Sequence, residues 1–470
     1  MPAHDASPPA PPQPPPVRVG VEVVAGATTF LAMCYILAVQ PSVLSGAAAG
    51  NPTGMPAGAV FTATALASAL GCAALAFLSR LPLAMAPGMG QNFFFVTSLL
   101  PAAAACGHPE PWRAALGAVV VAGAIMLVLS AWGLRQMLAS AIEPSLRDAI
   151  GAGIGVFIAL LGVKAGGLGA GSPRLSPDLV VFALGLLATL LLLGRGGRAA
   201  RLAVPAGILV AFGVACLLAW QGARLLPAWA ATGAWHSSAL ATTFHWPEAF
   251  VSHPPDPSPI LLKADIPAAL APGMLAALLT LTITLVFDAT GSILAVGRQA
   301  GLVTDAREGV VRRTMIADSS ATALGGLLGS SSTTVFVESA AGVAAGGRTW
   351  IVPATVGALF LASLWISPLV QTVASYPPAT APALVAVGAM MARGLGRLPW
   401  RDPVRTLPAL VVVVGIPWTS SIATGVAAGL VASPLCHLVA GRHRQVTPLA
   451  WLLGAAMAAF MVLRWLGVMA

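Results

Sequence analysis

Two carboxylates stand where a carboxylate is expensive. Asp288, in TLVFDATGSIL, and Glu338, in TTVFVESAAGVAAGG, each lie well inside an apolar run. A charged acid at mid-bilayer costs roughly 2.5 kcal/mol or more, so such a group ordinarily faces a cavity. There it can accept hydrogen bonds from a polar guest or take up and release a proton. A structural ion pair, or a helix-end acid reaching to water, is the alternative for each. Glu22 and Asp318 read differently: Glu22 opens an apolar run, and Asp318 follows Arg312 and Arg313 by a turn and a half, so a structural role is favoured for both.

Two segments carry the means to interrupt a helix beside such acids. In MAPGMGQNFFF (85–95), Pro87 lacks an amide proton and biases Ala86 towards extended backbone, while Gly88 and Gly90 let the chain bend. An extended piece over 83–87, followed by a half-helix starting near Gln91 and Asn92, is expected. The second segment, SSSTTVFVES (330–339), is hydroxyl-rich and β-branched from Thr333 to Val337, then turns to small residues. Extended backbone leading into a half-helix near Glu338 is expected here too. Half-helix starts expose unpaired amides and a partial positive end. The amides of Gln91 and Asn92 can pair two-pronged with the edge of a heterocycle. A kink made for packing alone is the competing reading of either segment by itself. Gln91, Asn92 and Gly90, Asp288 with Phe287, and Glu338 with Thr334 are thus the candidate binding residues. Glu338 and Asp288 are the candidate proton-coupling groups.

These residues need a bilayer around them to mean anything, and composition supplies it. Hydrophobic residues make up 57% of the 470, charged ones 8%, and mean hydropathy is +0.88. A soluble domain carries about 25% charged residues, so a normal water-facing surface cannot be built. The apolar runs are too long and continuous for the ten-residue alternation of a membrane barrel, which leaves membrane-spanning helices. The formal charge of +9 does not point to nucleic acid, because the basic residues sit singly or in small groups between apolar runs. Neither the five cysteines nor the seven histidines form a metal-ligand pattern, and no cofactor is expected beyond a coupling proton.

Fourteen hydrophobic segments are expected, at about 22–45, 58–79, 83–104, 112–132, 145–163, 178–194, 201–220, 268–296, 313–329, 333–346, 350–373, 379–392, 406–419 and 421–440. Residues 1–17 are Pro-rich and expected to be disordered. The apolar stretch 447–469, within a tail of 441–470, is expected either at the interface or beside the bundle. With the N-terminus in the cytoplasm, eighteen basic residues fall inside and five outside, and Arg464, unassigned, completes the 24 Lys+Arg. Both termini are thus expected in the cytoplasm. The chain also looks duplicated: one seven-segment unit over 18–220, an extracytoplasmic loop over 221–267, and a second unit over 268–440. SALG (68–71) echoes TALG (322–325), each about fifteen residues before an interrupted segment, and 205–218 echoes 423–436. Units with an odd number of spans insert with opposite topology. Inverted repeats with paired broken segments place a substrate site near the membrane midplane of a secondary transporter. GAGIGV (151–156) lies in an apolar span with no βαβ context, so it reads as close helix packing. The run APALVAVGAMM (381–391) reads as packing too.

GATTFLAMCYILAVQPSVLS (26–45), APGMGQNFFF (86–95), FDATGSILAVGRQAGL (287–302) and STTVFVESAAGVAAGGRT (332–349) resemble the AzgA-type hypoxanthine/guanine/adenine permeases of the nucleobase–cation symporter (xanthine/uracil permease) family. The resemblance runs in order from about 18 to 445. It implies an all-α, fourteen-segment, seven-plus-seven inverted-repeat fold with short strands in segments 3 and 10. It further implies a core domain of segments 1–4 and 8–11 and a gate domain of segments 5–7 and 12–14. It implies import of purine bases driven by a cation, usually the proton, in the cell inner membrane, with base contacts at Asn92, Asp288 and Glu338. Two positions depart from the family pattern. Leu285 stands where an acid is common, and Gln91 where leucine is common, which bears on the preferred base.

The expected partners are a nucleobase and the lipid bilayer, not nucleic acid, with a homodimer left open. Two rivals remain at this level. An anion transporter of the same architecture calls for a basic residue at the half-helix ends, where two acids stand instead. A membrane enzyme or receptor calls for a nucleophile–base pair or a metal cluster, and the sequence presents neither.

Overall fold

The computed structural model describes residues 18–47, 52–134, 143–168, 176–225, 236, 238–247, 249–299 and 308–465. Segment 1 is α1 (Val19–Met33) and α2 (Ile36–Leu44), separated by a turn at Cys34–Tyr35; segment 2 begins with α3 (Ala57–Ala74). Segment 3 is β1 (Met85–Pro87) followed by α4 (Met89–Phe94) and, further on, α5 (Leu100–Ala105). Then come α6 (Pro111–Ala131), α7 (Pro144–Val163), α8 (Pro177–Arg195) and α9 (Ala203–Leu225). The second half runs α10 (Leu275–Gln299), α11 (Glu308–Leu328), β2 (Thr333–Val335), α12 (Ser339–Ala344), α13 (Ile351–Ala362), α14 (Ser367–Ser375), α15 (Pro377–Ala392), α16 (Pro403–Thr419) and α17 (Ile422–Val439), with α18 (Pro448–Trp465) in the tail.

Local chemistry explains many boundaries. Proline occupies the first turn of α6, α7, α8, α15 and α16, where its missing N–H costs nothing. Ser176, Asp402 and Ser421 cap α8, α16 and α17 by accepting the amides of Leu179, Val404 and Thr424. Among the described residues, nine helical stretches are long and apolar enough to cross a bilayer. The other five expected segments are the strand–helix segments 3 and 10, the charged α11, the 17-residue α16, and α10, whose apolar part is short.

β1 and β2 come from opposite halves of the chain and pair antiparallel, Met85 with Val335, Ala86 with Thr334 and Pro87 with Thr333. The two strands fit the short extended pieces expected in segments 3 and 10, and the structure adds their pairing. Further bonds extend it: Phe336 donates its amide to the Ala84 carbonyl at 3.0 Å, Gly88 to that of Ser332 at 3.1 Å, and Ala84 to Ser339 Oγ at 2.9 Å. Backbone that leaves the helix inside an apolar bundle must be satisfied in this way. The extended piece is shorter than the sequence suggests, and α4 starts at Met89 rather than near Gln91. Once Pro87 has ended the strand, Gly88 already turns the chain and Asn92 N–H closes the first helical turn onto the Gly88 carbonyl.

Helices of the two halves interleave. α1 packs on α13, α3 on α11 and α13, and α6 on α11, while α7 packs on α15 and α16, α8 and α9 on α15, and α16 on α17. The α7–α15 contact is a glycine seam: a Cβ on Gly155 would come within 2.6 Å of the Gly388 carbonyl oxygen. GAGIGV is thus a packing motif, as its setting suggests. α18 lies against α17, with Gly454 facing the Leu430 carbonyl. The tail therefore packs beside the bundle. Residues 1–17 fall outside the described residues.

Candidate functional site

The two strands end where two helices begin, and a cavity of about 300 Å³ opens there. Tyr35 lines it from segment 1, Gly88 to Gln91 from segment 3, Asp288 and Ser292 from α10, and Thr334 to Glu338 from segment 10; Val387, Met390 and Met391 of α15 close it opposite. The volume sits at the small end of the range for ligand pockets. Asp288 and Glu338, fifty positions apart in sequence, share this one chamber.

Each acid is met by a neutral donor. The Tyr35 hydroxyl donates to Glu338 Oε1 at 3.0 Å, and Gln91 Nε2 donates to Asp288 Oδ2 at 2.7 Å. Both donors are themselves buried, Tyr35 at 4% exposure and Gln91 at 3%. Gln91 reaches Asp288 because Gly88 leaves room: a Cβ at position 88 would overlap the Gln91 carboxamide oxygen. The Thr334 hydroxyl, also in the lining, is buried without a protein partner. No Arg, Lys or His is among the described lining residues. Among the described lining residues the acceptors are two carboxylates and the donors are hydroxyls, an amide and backbone N–H groups, which suits an uncharged guest rich in N–H.

The sequence expectations meet the geometry unevenly. Gln91, Gly90, Asp288, Glu338 and Thr334 all line the cavity. Asn92 does not. It turns the other way, fully buried, and its Oδ1 accepts from Ser331 Oγ. Gln40 Nε2 joins them, donating to Ser330 Oγ at 2.9 Å and Ser331 Oγ at 3.3 Å. Successive helical residues point about 100° apart, and the step after Gln91 turns the Asn92 side chain away from the chamber and towards Ser331. The side chain of Phe287 lies outside the described residues. The α15 run read as packing also contributes lining, through Val387, Met390 and Met391.

Tyr35 was not singled out from sequence. Its signal was available: the chain has only two tyrosines, and this one stands in an otherwise apolar stretch. The other, Tyr376, is also buried and donates to Asp178 Oδ1 at 2.8 Å. Asp178 further accepts the amides of Ala239 and Leu240, at 2.7 and 3.0 Å, which pins part of the long connecting loop onto α8. Glu22 is structural, as expected. Its carboxylate accepts the amides of Arg348 and Thr349 at 3.1 Å, tying the start of α1 to the chain just beyond α12.

Comparison with known proteins agrees with this architecture. The transmembrane domain of a cyanobacterium bicarbonate transporter, BicA, superposes with a TM-score of 0.57 at 14% identity, covering 87% of this chain and 97% of that one. Murine Slc26a9, an anion transporter in the inward-facing state, gives 0.59 at 14% identity over 89% of this chain and 68% of its own. At that identity the likeness is one of fold. Sequence relatives are nearer. The guanine/hypoxanthine permease PbuO of Bacillus subtilis is 32% identical over 439 residues, 91% of this chain and 94% of its own. GhxP of Escherichia coli O157:H7, a guanine/hypoxanthine permease, is 34% identical over 435 residues, 90% and 89%. The adenine permease AdeP of Escherichia coli K12 is 30% identical over 436 residues, 91% and 89%. Residues 20–428 match the Xan_ur_permease profile, described as the permease family. With its many apolar spans and a chamber built where two strand–helix segments meet, the chain is a multi-pass membrane transporter belonging to that permease family.

Proposed function

We propose that the protein imports purine nucleobases across the cell inner membrane together with protons, with both termini in the cytoplasm. The observation that carries this is the chamber: two carboxylates, each held by a neutral donor, and no cation among the described lining residues. Uncharged purines present N–H groups that carboxylates accept, and a site matched this way leaves its own polar atoms unpaired with the wrong solute. Relatives named as guanine/hypoxanthine and adenine permeases support the same substrate class. Asp288, Glu338, Gln91, Gly90 and Thr334 hold the base, with Phe287 beside Asp288 in sequence; Asn92 stiffens the half-helix from behind. Segments 1–4 and 8–11 act as the core that carries the base, and segments 5–7 and 12–14 as the gate, so that α15 slides across the mouth of the chamber.

The fold neighbours named as bicarbonate and anion transporters raise the possibility of an anion, but an anion facing two acids and no base is electrostatically disfavoured. Uptake of radiolabelled hypoxanthine, guanine and adenine into a host lacking its own purine permeases tests the reading. Saturable uptake of at least one base, collapsed by a protonophore and unaffected by excess sulfate or bicarbonate, is expected. Uptake indifferent to the protonophore sinks the proton coupling, and absence of uptake of all three sinks the substrate class.

A further inference from the structure

We propose that Gln40 is a positioning residue for the base, acting on Gln91 through a buried relay that runs from Gln40 to Ser331 to Asn92. The proposal rests on the chamber holding a nucleobase and goes further by naming what aims its wall.

Gln40 lies on α2 and is not among the described lining residues of the chamber. Its side chain is fully buried, as are those of Ser330, Ser331 and Asn92. A buried carboxamide without partners costs about 1–3 kcal/mol, so a glutamine inside an apolar bundle is a burden unless its bonds hold something. Its Nε2 carries two hydrogens, and two hydroxyls receive them, Ser330 Oγ at 2.9 Å and Ser331 Oγ at 3.3 Å. Ser331 accepts there and gives its own hydrogen to Asn92 Oδ1. Asn92 Nδ2 in turn points to the sulfur of Met89, 3.9 Å away, and Met89 lines the chamber. The donors thus run in one direction, from α2 through the turn before β2 to α4. Hydrogen bonds aligned head to tail strengthen one another.

α4 is where this matters. Asn92 and Gln91 are successive residues, one at the back of the short helix and one at its front. The Gly88 amide, just before α4, donates to the Ser332 carbonyl at 3.1 Å. The turn at 330–332 therefore holds α4 by backbone at its start and by side chain at Asn92. A rotation of α4 that carried Asn92 away from Ser331 would swing Gln91 off Asp288 by the same angle. The bond from Gln91 Nε2 to Asp288 Oδ2 is 2.7 Å long, and a carboxamide displaced by about an ångström no longer makes it. Hydrogen bonds behind the helix therefore set the position of a donor in front of it. No member of the relay carries a charge, so its influence is by placement and not by field.

The competing account is that Gln40 only satisfies the two serines of a buried turn. Replacing Gln40 lowers stability on either account. Only the relay makes the loss of binding depend on Gln91.

Double substitution separates the two. The ligand is whichever of radiolabelled hypoxanthine, guanine and adenine wild type binds most tightly. Its equilibrium binding to purified wild type, Gln40→Leu, Gln91→Leu and the pair gives four Kd values. Gln40→Leu should raise Kd by about three- to tenfold, no more than Gln91→Leu does, and by less than about twofold once residue 91 is leucine. Ser331→Ala cuts the relay at its middle with a smaller change and should follow the same pattern, so it carries the test should Gln40→Leu not fold. An unchanged Kd, or the same fold increase with and without Gln91, overturns the proposal. Gln40 shares α2 with the turn that bears Tyr35. An effect that vanishes in Tyr35→Phe and persists in Gln91→Leu would put the route through that turn and overturn the proposal as well. Wild type that binds none of the three bases would instead remove the nucleobase reading itself.

Discussion

Tyr35 and Glu338 are separated by 303 positions in the chain and by 3.0 Å in the structure. Tyr35 occupies the turn that divides α1 from α2, and Glu338 stands immediately before α12. A break in the first segment of one half thus delivers a phenol to the break in the third segment of the other. The pairing binds the two repeats at the point where they hold a guest.

Gln91 donates to Asp288 Oδ2 at 2.7 Å from the first turn of α4. Gln91→Leu removes a hydrogen bond to a charged group, worth about 1.5–3 kcal/mol when fully buried, but water entering the chamber replaces part of it. An increase in KM for hypoxanthine of about three- to tenfold, with much less change in kcat, is expected. Initial-rate uptake in proteoliposomes measures both.

Gly155 and Gly388 allow α7 and α15 to touch backbone to backbone. Gly155→Ala places a methyl where the Gly388 carbonyl and the Ala392 amide stand, at 2.6 and 2.7 Å. Overpacking of this kind costs about 1–3 kcal/mol. The detergent-solubilised variant should unfold several degrees below wild type by intrinsic fluorescence, whereas Gly151→Ala on the same helix, with open space at its Cβ, should not.

Asp178 collects three donors, the Tyr376 hydroxyl and the amides of Ala239 and Leu240. Asp178→Ala strands all three, at about 1–3 kcal/mol for each group left unsatisfied. Hydrogen exchange should accelerate over 238–244 in the variant while α3 and α6 keep their protection. Unchanged exchange in the loop would show that Phe244, whose ring meets Tyr376 edge-on at 5.7 Å, is sufficient to hold it.

At the surface, the Asp265 carboxyl is held below its ordinary value of 3.8 by the Ala268 amide and then by His108. A carboxyl lowered in the folded state adds stability above its unfolded value and loses it as pH falls through the folded one. The effect is thus confined to acid conditions. Below about pH 4 the Tm of wild type should fall more steeply than that of Asp265→Asn, and the two curves should run parallel near neutrality.

What the sequence determined by itself was everything that depends on composition and on near neighbours. Apolar runs in a chain with 8% charged residues can only be bilayer helices, since unpaired backbone is intolerable in lipid. Pro87 with Gly88, and the β-branched run at Thr333, mark the breaks because proline geometry and β-branching act on the residues beside them. The acids declared themselves through their cost. Tertiary structure alone decided which side chains meet. Whether Gln91 or Asn92 faces the chamber turns on where α4 begins, and that is set by the pairing of Met85–Pro87 with Thr333–Val335, strands more than two hundred positions apart. Tyr35 reaches Glu338, and Met390 closes the mouth, only because the two halves interleave. Such contacts leave no periodicity and no local motif, because the free energy that selects them comes from burial and hydrogen bonding between elements distant in the chain.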